Sequence, residues 1–321
     1  HGEGHSFPTR RSSDLATGRP KGALLSQAAV LANAALAVDM HALTEADHVH
    51  TILPMFHVGG LNIQTLPALL TGARVSLMAR FEPAACLDEI ERLRPTLTVH
   101  VPATLAAMMA REDWAARDLS SLRLMATGST DVPLGLIEAV HARGVPVVQI
   151  YGATETGPVA IYQREADARP LIGAIGRPGP GVEVRLLDAE AREAEEGEIV
   201  LRSPALASGY LGRGAEGFEG GWWRSGDVAR RDVDGVFWFT DRIKNVIVSG
   251  GENVWPAELE RVLAGLPGVV EAAVAGVPDP RWGAVPVVVA VAPGVAEAEI
   301  LAAFEGRVAR YKRPRRVTFV E

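Results

Sequence analysis

The sequence predicts an α/β fold: a parallel-sheet βαβ large domain carrying a small β-barrel-like subdomain, followed by a small C-terminal α+β domain. Three observations predict it. Between residues 22 and 151 short β-rich runs alternate with longer helical patterns; residues 181–241 then hold short strands bounded by Gly and Asp; after residue 241 strands and helices mix in a smaller stretch.

Taken in order, a helical pattern opens near Ser26, and "HTILPM", "ARVSLM", "TLTVHV", "LRLMA" and "VPVVQIYG" read as strands. "PAACLDEIERLR" and "PLGLIEAVHARG" read as crossover helices between them, so helices are expected on both sheet faces. "GVEVRLLD", "GEIVLRS" and "GVFWFTD" follow as strands of antiparallel texture. "RIKNVIVSGG", a helix over "PAELERVLAGL", strands "EAAVAGV" and "AVPVVVAV", and a helix near "AEILAAFEGRVARY" complete the chain. A domain boundary is expected at residues 241–245, giving a large domain over 16–240 and a small, mobile domain over 241–321.

Composition narrows the function. The 321 residues are 48% hydrophobic with a formal net charge of -7, so the chain has no basic surplus to displace counterions from a polyanion, and nucleic acid is not an expected partner. Cys86 is the single cysteine, which excludes an internal disulfide and fits a reducing, cytoplasmic compartment. The longest apolar stretches, 28–38 and 283–295, are shorter than the roughly 20 residues of a spanning helix, and Pro286 and Pro293 break the second, so no integral membrane association is expected. Arg10 and Arg11 precede no apolar run of signal-peptide type.

Four segments carry candidate chemistry. In "TGRPKG" (17–22) glycines admit an anion to the backbone while a hydroxyl and a lysine add a donor and a charge, though alone such a segment is more readily only a turn. "YGATETGP" (151–158) follows a parallel strand, where open α/β sheets bind ligands; it offers an aromatic face, a hydroxyl and a carboxylate, and Glu155 could hold Mg²⁺ through oxygen. A polar turn with a core tyrosine would read equally well. "GWWRSGD" (221–227) ends on an acidic residue able to accept both hydroxyls of a ribose, and "DRIKNVIVSGGENVWPAELE" (241–260) brings an arginine and a lysine that can meet phosphate charge. Singly, these fit a solvated turn and a charged linker.

In order and spacing, "TGRPKG", "LPMFHVGG", "YGATETGP", "GEIVLRSPALASGY", "WWRSGD" and "DRIKNVIVSGGENVWPAELE" resemble the core motifs of the adenylate-forming (AMP-binding) superfamily over residues 16–321. That resemblance implies an enzyme that joins a carboxylate to ATP, releases pyrophosphate and passes the acyl group from AMP to a thiol, with ATP, Mg²⁺ and CoA as cofactors and a small-molecule fatty or aryl carboxylic acid as substrate. By the same resemblance Thr17, Gly18 and Lys21 belong to the phosphate loop, Tyr151 and Gly152 to the adenine site, Thr154 to phosphate and Glu155 to Mg²⁺. Asp227 matches the aspartate on the ribose hydroxyls, with Ser225 where threonine is usual, and Arg242 a second nucleotide contact. Lys244 falls at the hinge on which the small domain turns, and Gly250 and Gly251 lie in the loop that approaches pantetheine.

His57 points to the acyl-CoA synthetase branch. Amino-acid-activating members carry Phe-Asp at this place, where the aspartate meets the substrate ammonium; here Phe56-His57 leaves an ammonium unpaired and suits an acyl carboxylate. A carrier-protein-loading acyl-AMP ligase, or a nucleotide-binding module without catalysis, stays open beside it. Gly128 and Ser129, in "ATGSTDVP", occupy the turn that lines the adenine and acyl pocket in the family. His48 and His50 would face one side of a strand and read as structural, because no Cys or acidic cluster at ligand spacing completes a zinc site.

The family pattern is missing at both ends. The Ser/Thr-Gly-Thr/Ser run usual ahead of "TGxPKG" is absent, and residues 5–15, "HSFPTRRSSDL", resemble a reading frame of a synthetic sequencing adapter, so 1–15 reads as a non-native leader. No Gly-Lys segment follows "YKRPRRVTFVE", and Lys312 is not its equivalent. The expectation is a chain impaired in adenylation. Acyl chain length and oligomeric state are not encoded in any of these motifs.

Overall fold

In the computed structural model of the protein, residues 21–128 and 132–320 are described. Their contacts divide into two units: one runs to Arg185 and adds Val200–Arg224 and Arg231–Trp238; the other holds Leu186–Ile199, Ser225–Arg230 and the chain from Phe239 onward.

The first unit is built on β1 (His48–Thr51), β2 (Arg74–Leu77), β3 (Leu97–His100), β4 (Leu124–Gly128) and β5 (Val147–Tyr151), with β6 (Ile161–Tyr162) and β7 (Arg177–Pro178) completing the order β2-β1-β3-β4-β5-β6-β7. The first five pair in parallel and the last two join antiparallel. Every residue of β1, β3 and β5 is buried, as strands covered on both faces must be.

The helices start where the sequence supplies caps. Ser26 accepts from the Ala29 N–H at 3.0 Å to open α1 (Gln27–His41). A π-helical turn over Gly59–Thr65 leads into α2 (Leu66–Thr71). Glu82 accepts from the Ala84 and Ala85 N–H groups at 3.1 and 2.7 Å ahead of α3 (Pro83–Leu93), whose proline sits in the first turn where its missing N–H costs nothing. Cys86, Leu87 and Ile90 of α3, Leu105 and Met108 of α4 (Pro102–Met109), and Ile137 and Val140 of α5 (Leu134–Ala142) pack with Met125 and Val147 of the sheet in one core. Burying a side chain such as Ile90 fully stabilises by about 1.5–3 kcal/mol.

The expected small β subdomain is a sheet of β8 (Glu183–Leu187), β9 (Glu196–Arg202), β10 (Phe218–Glu219), β11 (Trp222–Arg231) and β12 (Phe237–Arg242), in the order β10-β11-β9-β8 with β12 on β11.

In the second unit β13 (Ile247–Ser249), β14 (Glu252–Val254), β15 (Glu271–Asp279), β16 (Gly283–Val291) and β17 (Val317–Phe319) form a sheet of order β14-β13-β16-β15 with β17 parallel to β16. Leu259 and Leu263 of α6 (Pro256–Ala264) and Ile300 of α7 (Glu297–Ala302) close its core together with Phe304. The helix expected near 298–311 is shorter: α7 stops at Ala302, Gly306 takes a φ of +71°, and only a 3₁₀ turn at Arg310–Lys312 follows.

Candidate active site

Lys21 is the first described residue of the "TGRPKG" segment. Residues 22–24 run antiparallel to residues 208–211: Leu211 donates its N–H to the Gly22 carbonyl at 2.8 Å, Leu24 to Gly209 at 2.9 Å and Ser208 to Leu24 at 2.9 Å. This pairing places the Lys21 ammonium 5.2 Å from the centre of the Tyr210 ring and 3.8 Å from Glu216.

Tyr210 in turn reaches the loop after β5. Its hydroxyl donates to Glu155 Oε1 at 2.8 Å, and both side chains are buried, Glu155 to 1% exposure. Glu155 lies in a 3₁₀ turn, Thr154–Thr156, whose entry is capped by the Thr156 hydroxyl accepting from the Ala153 N–H at 2.9 Å. Its own carbonyl accepts from the Ala207 N–H at 2.8 Å. Thr154 is half-buried.

The turn is braced from α1 and the π-helical turn. Asn33, fully buried, donates to the Asn62 carbonyl at 2.8 Å and accepts from the Val159 N–H at 2.9 Å, while Asn62 donates to the Gly157 carbonyl at 2.8 Å. A side chain at Gly152 would place its first carbon 1.9 Å from the Pro158 carbonyl oxygen, so the backbone can close this loop only on glycine. Tyr151, at the end of β5, is buried, and Gly128 ends β4 beside it with Ile150 as its register partner. Thr17, Gly18 and Ser129 lie outside the described residues.

His57 stands just ahead of the π-helical turn, half-buried, and its Nδ1 accepts from the Gly59 N–H at 3.0 Å. In the neutral ring that bond puts the proton on Nε2, which becomes a donor. His48 and His50 of β1 both meet the Ser76 hydroxyl, at 3.0 and 2.9 Å, and burial lowers the basicity of each. Among the described residues no group of three or more His, Cys, Asp or Glu could hold a metal ion by itself.

The second unit carries the remaining residues. Asp227 follows Gly226, whose φ is +71°, and its N–H donates to the Ser225 hydroxyl at 3.0 Å, while that hydroxyl donates to the Ile199 carbonyl at 2.7 Å. Ser225 thus keeps the working part of a threonine. Arg242 Nε lies 3.2 Å from Asp227 Oδ1. Lys244 is exposed on a 3₁₀ turn, Ile243–Asn245, between β12 and β13. Gly250 and Gly251, with φ of +62° and +88°, form the two-residue turn joining β13 to β14, a conformation that disfavours any residue with a Cβ. The Gly250 N–H donates to the Trp282 carbonyl at 2.8 Å.

A buried carboxylate that accepts from a phenol hydroxyl supplies oxygen donors of the kind Mg²⁺ takes together with phosphate oxygens and water. Glu155 therefore fits the ion expected of it.

Motif reading misses three residues that organise this region: Asn33, Asn62 and Tyr210. The tyrosine stands inside the quoted "SPALASGY" without a role. Its partner lies 55 residues away, a distance at which only the fold brings side chains together.

Comparison with known proteins shows the family. The model of the AMP-binding enzyme family matches residues 16–211 and that of the AMP-binding enzyme C-terminal domain matches 258–321, so the chain belongs to the AMP-binding enzyme family. It is 46% identical to an indoleacetate–CoA ligase of Aromatoleum aromaticum over 95% of this chain and 62% of that protein, and 41% identical to a feruloyl-CoA synthase of Amycolatopsis over 95% and 64%. The fold matches o-succinylbenzoate CoA synthetase from Bacillus subtilis, solved with its acyl-adenylate intermediate, at a TM-score of 0.87 and 30% identity, covering 97% of this chain and 64% of that one. The chain thus spans a little under two thirds of the length of these relatives. Among the described residues no helix is long and apolar enough to cross a membrane.

Proposed function

We propose that the protein is an AMP-forming acid–thiol ligase, an acyl-CoA synthetase that uses ATP, Mg²⁺ and CoA to activate a small aryl carboxylic acid. The observation that carries this reading is the buried Tyr210–Glu155 hydrogen bond beside Lys21, which gathers a cation able to meet phosphate and a carboxylate able to hold Mg²⁺ in one unit. Aryl acids are preferred to fatty acids because indoleacetate– and feruloyl-CoA ligases, at 46 and 41% identity, stand above a long-chain fatty-acid–CoA ligase of Mycobacterium tuberculosis at 36%.

In this reading Lys21, with Thr17 and Gly18, neutralises phosphate charge as a carboxylate oxygen attacks the α-phosphorus and pyrophosphate leaves. Glu155 and Thr154 hold the phosphate side of the site; Mg²⁺, when bound there, supplies further charge neutralisation. Tyr151, Gly152, Gly128 and Ser129 line the adenine and acyl pocket, Asp227 accepts the ribose hydroxyls and Arg242 adds a nucleotide contact. His57 turns its Nε2–H toward the acid. In the second step the CoA sulfur attacks the acyl carbon and AMP leaves, with Lys244 as the hinge and the Gly250–Gly251 turn carrying the arm beside pantetheine. A reducing cytoplasm suits the free thiol this step needs.

Acid-dependent exchange of pyrophosphate into ATP, followed by thioester formation with free CoA, tests the reading on the chain extended to the length of its relatives. Indoleacetic and hydroxycinnamic acids should support both steps better than long-chain fatty acids. Exchange with no acid of either kind, or transfer only to protein-bound pantetheine, would contradict it.

A further inference from the structure

We propose that Tyr210 is a positioning residue that fixes the Glu155 carboxylate for Mg²⁺, and so sets how much Mg²⁺ the site needs to tighten on ATP. The proposal rests on the reading of Lys21 and Glu155 given above, and extends it by giving the Tyr210 hydroxyl a task of its own.

Tyr210 is unusually well placed for this. Its backbone is held on two sides: it bridges Ala23 of the phosphate-loop exit, and its N–H donates to the Gly214 carbonyl at 2.7 Å. Its ring meets Phe218 edge-on at 5.6 Å, and Phe218 rests on Trp223 at 6.4 Å. With backbone and ring both fixed, the hydroxyl has little freedom, and its 2.8 Å bond to Oε1 sets the rotation of the Glu155 carboxylate. Outer hydrogen bonds of this kind orient metal-binding carboxylates, and losing one weakens metal affinity by about 10- to 100-fold. The same ring carries Lys21, so one side chain couples the phosphate-binding cation to the metal-binding anion.

A purely structural tyrosine, present only to satisfy a buried carboxylate, would affect ATP binding equally with and without the metal. Tyr210→Phe separates the two, because it keeps the ring with its Lys21 and Phe218 contacts and removes only the hydroxyl. Calorimetric titration of ATP into this chain, in EDTA and across a Mg²⁺ series, should show that Tyr210→Phe needs about 10-fold more Mg²⁺ for half of the tightening, while its affinity in EDTA stays within about twofold of wild type. In a Glu155→Gln background, adding Tyr210→Phe should move the Mg²⁺ midpoint by less than about twofold, since the two side chains act as one unit. A Mg²⁺ midpoint unchanged in Tyr210→Phe, or an equal loss of affinity in EDTA and in Mg²⁺, would overturn the positioning role. Absence of Mg²⁺-dependent ATP binding in the wild-type chain would overturn the site reading itself along with it.

Discussion

Arg242 reaches back to Asp227, its Nε 3.2 Å from Oδ1, so the carboxylate proposed for a ribose is held by a guanidinium nearly half exposed to solvent. An ion pair of that exposure contributes at most about 1 kcal/mol to stability, whereas hydrogen bonds from a ligand to a charged acceptor are worth about 1.5–3 kcal/mol. The pair therefore orients Asp227 at little cost to folding.

Asp227→Ala should accordingly weaken ATP binding by about 10- to 100-fold and leave the melting temperature nearly unchanged. The sharper readout is discrimination: wild type should prefer ATP to 2′,3′-dideoxy-ATP, and the variant should bind both alike. A variant that still distinguishes them places the ribose elsewhere.

His57 should act on the acid and not on the nucleotide. With Nδ1 engaged by the Gly59 N–H at 3.0 Å, the neutral ring offers Nε2–H as its donor. His57→Ala is expected to raise the KM for the carboxylic acid about 10-fold, with the KM for ATP unaffected; a rise in both would assign His57 to the scaffold.

Much of the frame is legible in the sequence, and the reasons are local. β-rich runs bounded by turns mark β1 to β5, and α3 announces itself through Glu82, Pro83 and the apolar spacing of Cys86, Leu87 and Ile90. The π-helical turn and α2 are hidden because Gly59, Gly60 and Pro67 read as breakers, yet a side chain at Gly60 would bring its first carbon within 2.4 Å of the Leu53 carbonyl oxygen, so close packing demands the glycine. α4 is short and almost uniformly apolar, which gives no periodicity to read. Of the candidate residues, Lys21, Glu155 and Asp227 stand out through their motifs. Asn33, Asn62 and Tyr210 do not, since each works through partners at least 29 residues away.

Acid should weaken the first unit through Asp47. Burial would raise the pKa of this carboxyl, but hydrogen bonds from Arg123 at 2.8 Å, the Thr96 hydroxyl at 2.7 Å and the Thr44 N–H at 2.9 Å outweigh it and hold the pKa at about 2 instead of 3.8. A depressed folded-state value contributes stability that is complete above the unfolded value and is lost as pH falls toward 2, here about 2 kcal/mol. Asp47→Asn should lower the urea midpoint at pH 7, and the gap to wild type should close as pH falls from 4 to 2. A gap that persists unchanged into that range contradicts the assignment.

Cys86 should be inert in the folded chain. Burial, with Glu89 and Glu82 adding repulsion, pushes its thiol up to about 12, and its side chain is fully covered. Ellman's reagent at pH 8 should find no thiol in native protein and the full complement in urea; prompt labelling of the native chain would show that α3 opens readily.

The central claim, that these residues form an acyl-adenylate site, is tested most directly by binding and not by turnover. A non-hydrolysable acyl-adenylate mimic, indoleacetyl sulfamoyl-adenosine, should bind this chain at least about 100-fold more tightly than AMP, as a mimic of a bound intermediate does, and Asp227→Ala should weaken both ligands, since both carry the ribose. Equal affinity for the mimic and AMP, or tight binding that ignores Asp227, would contradict the account.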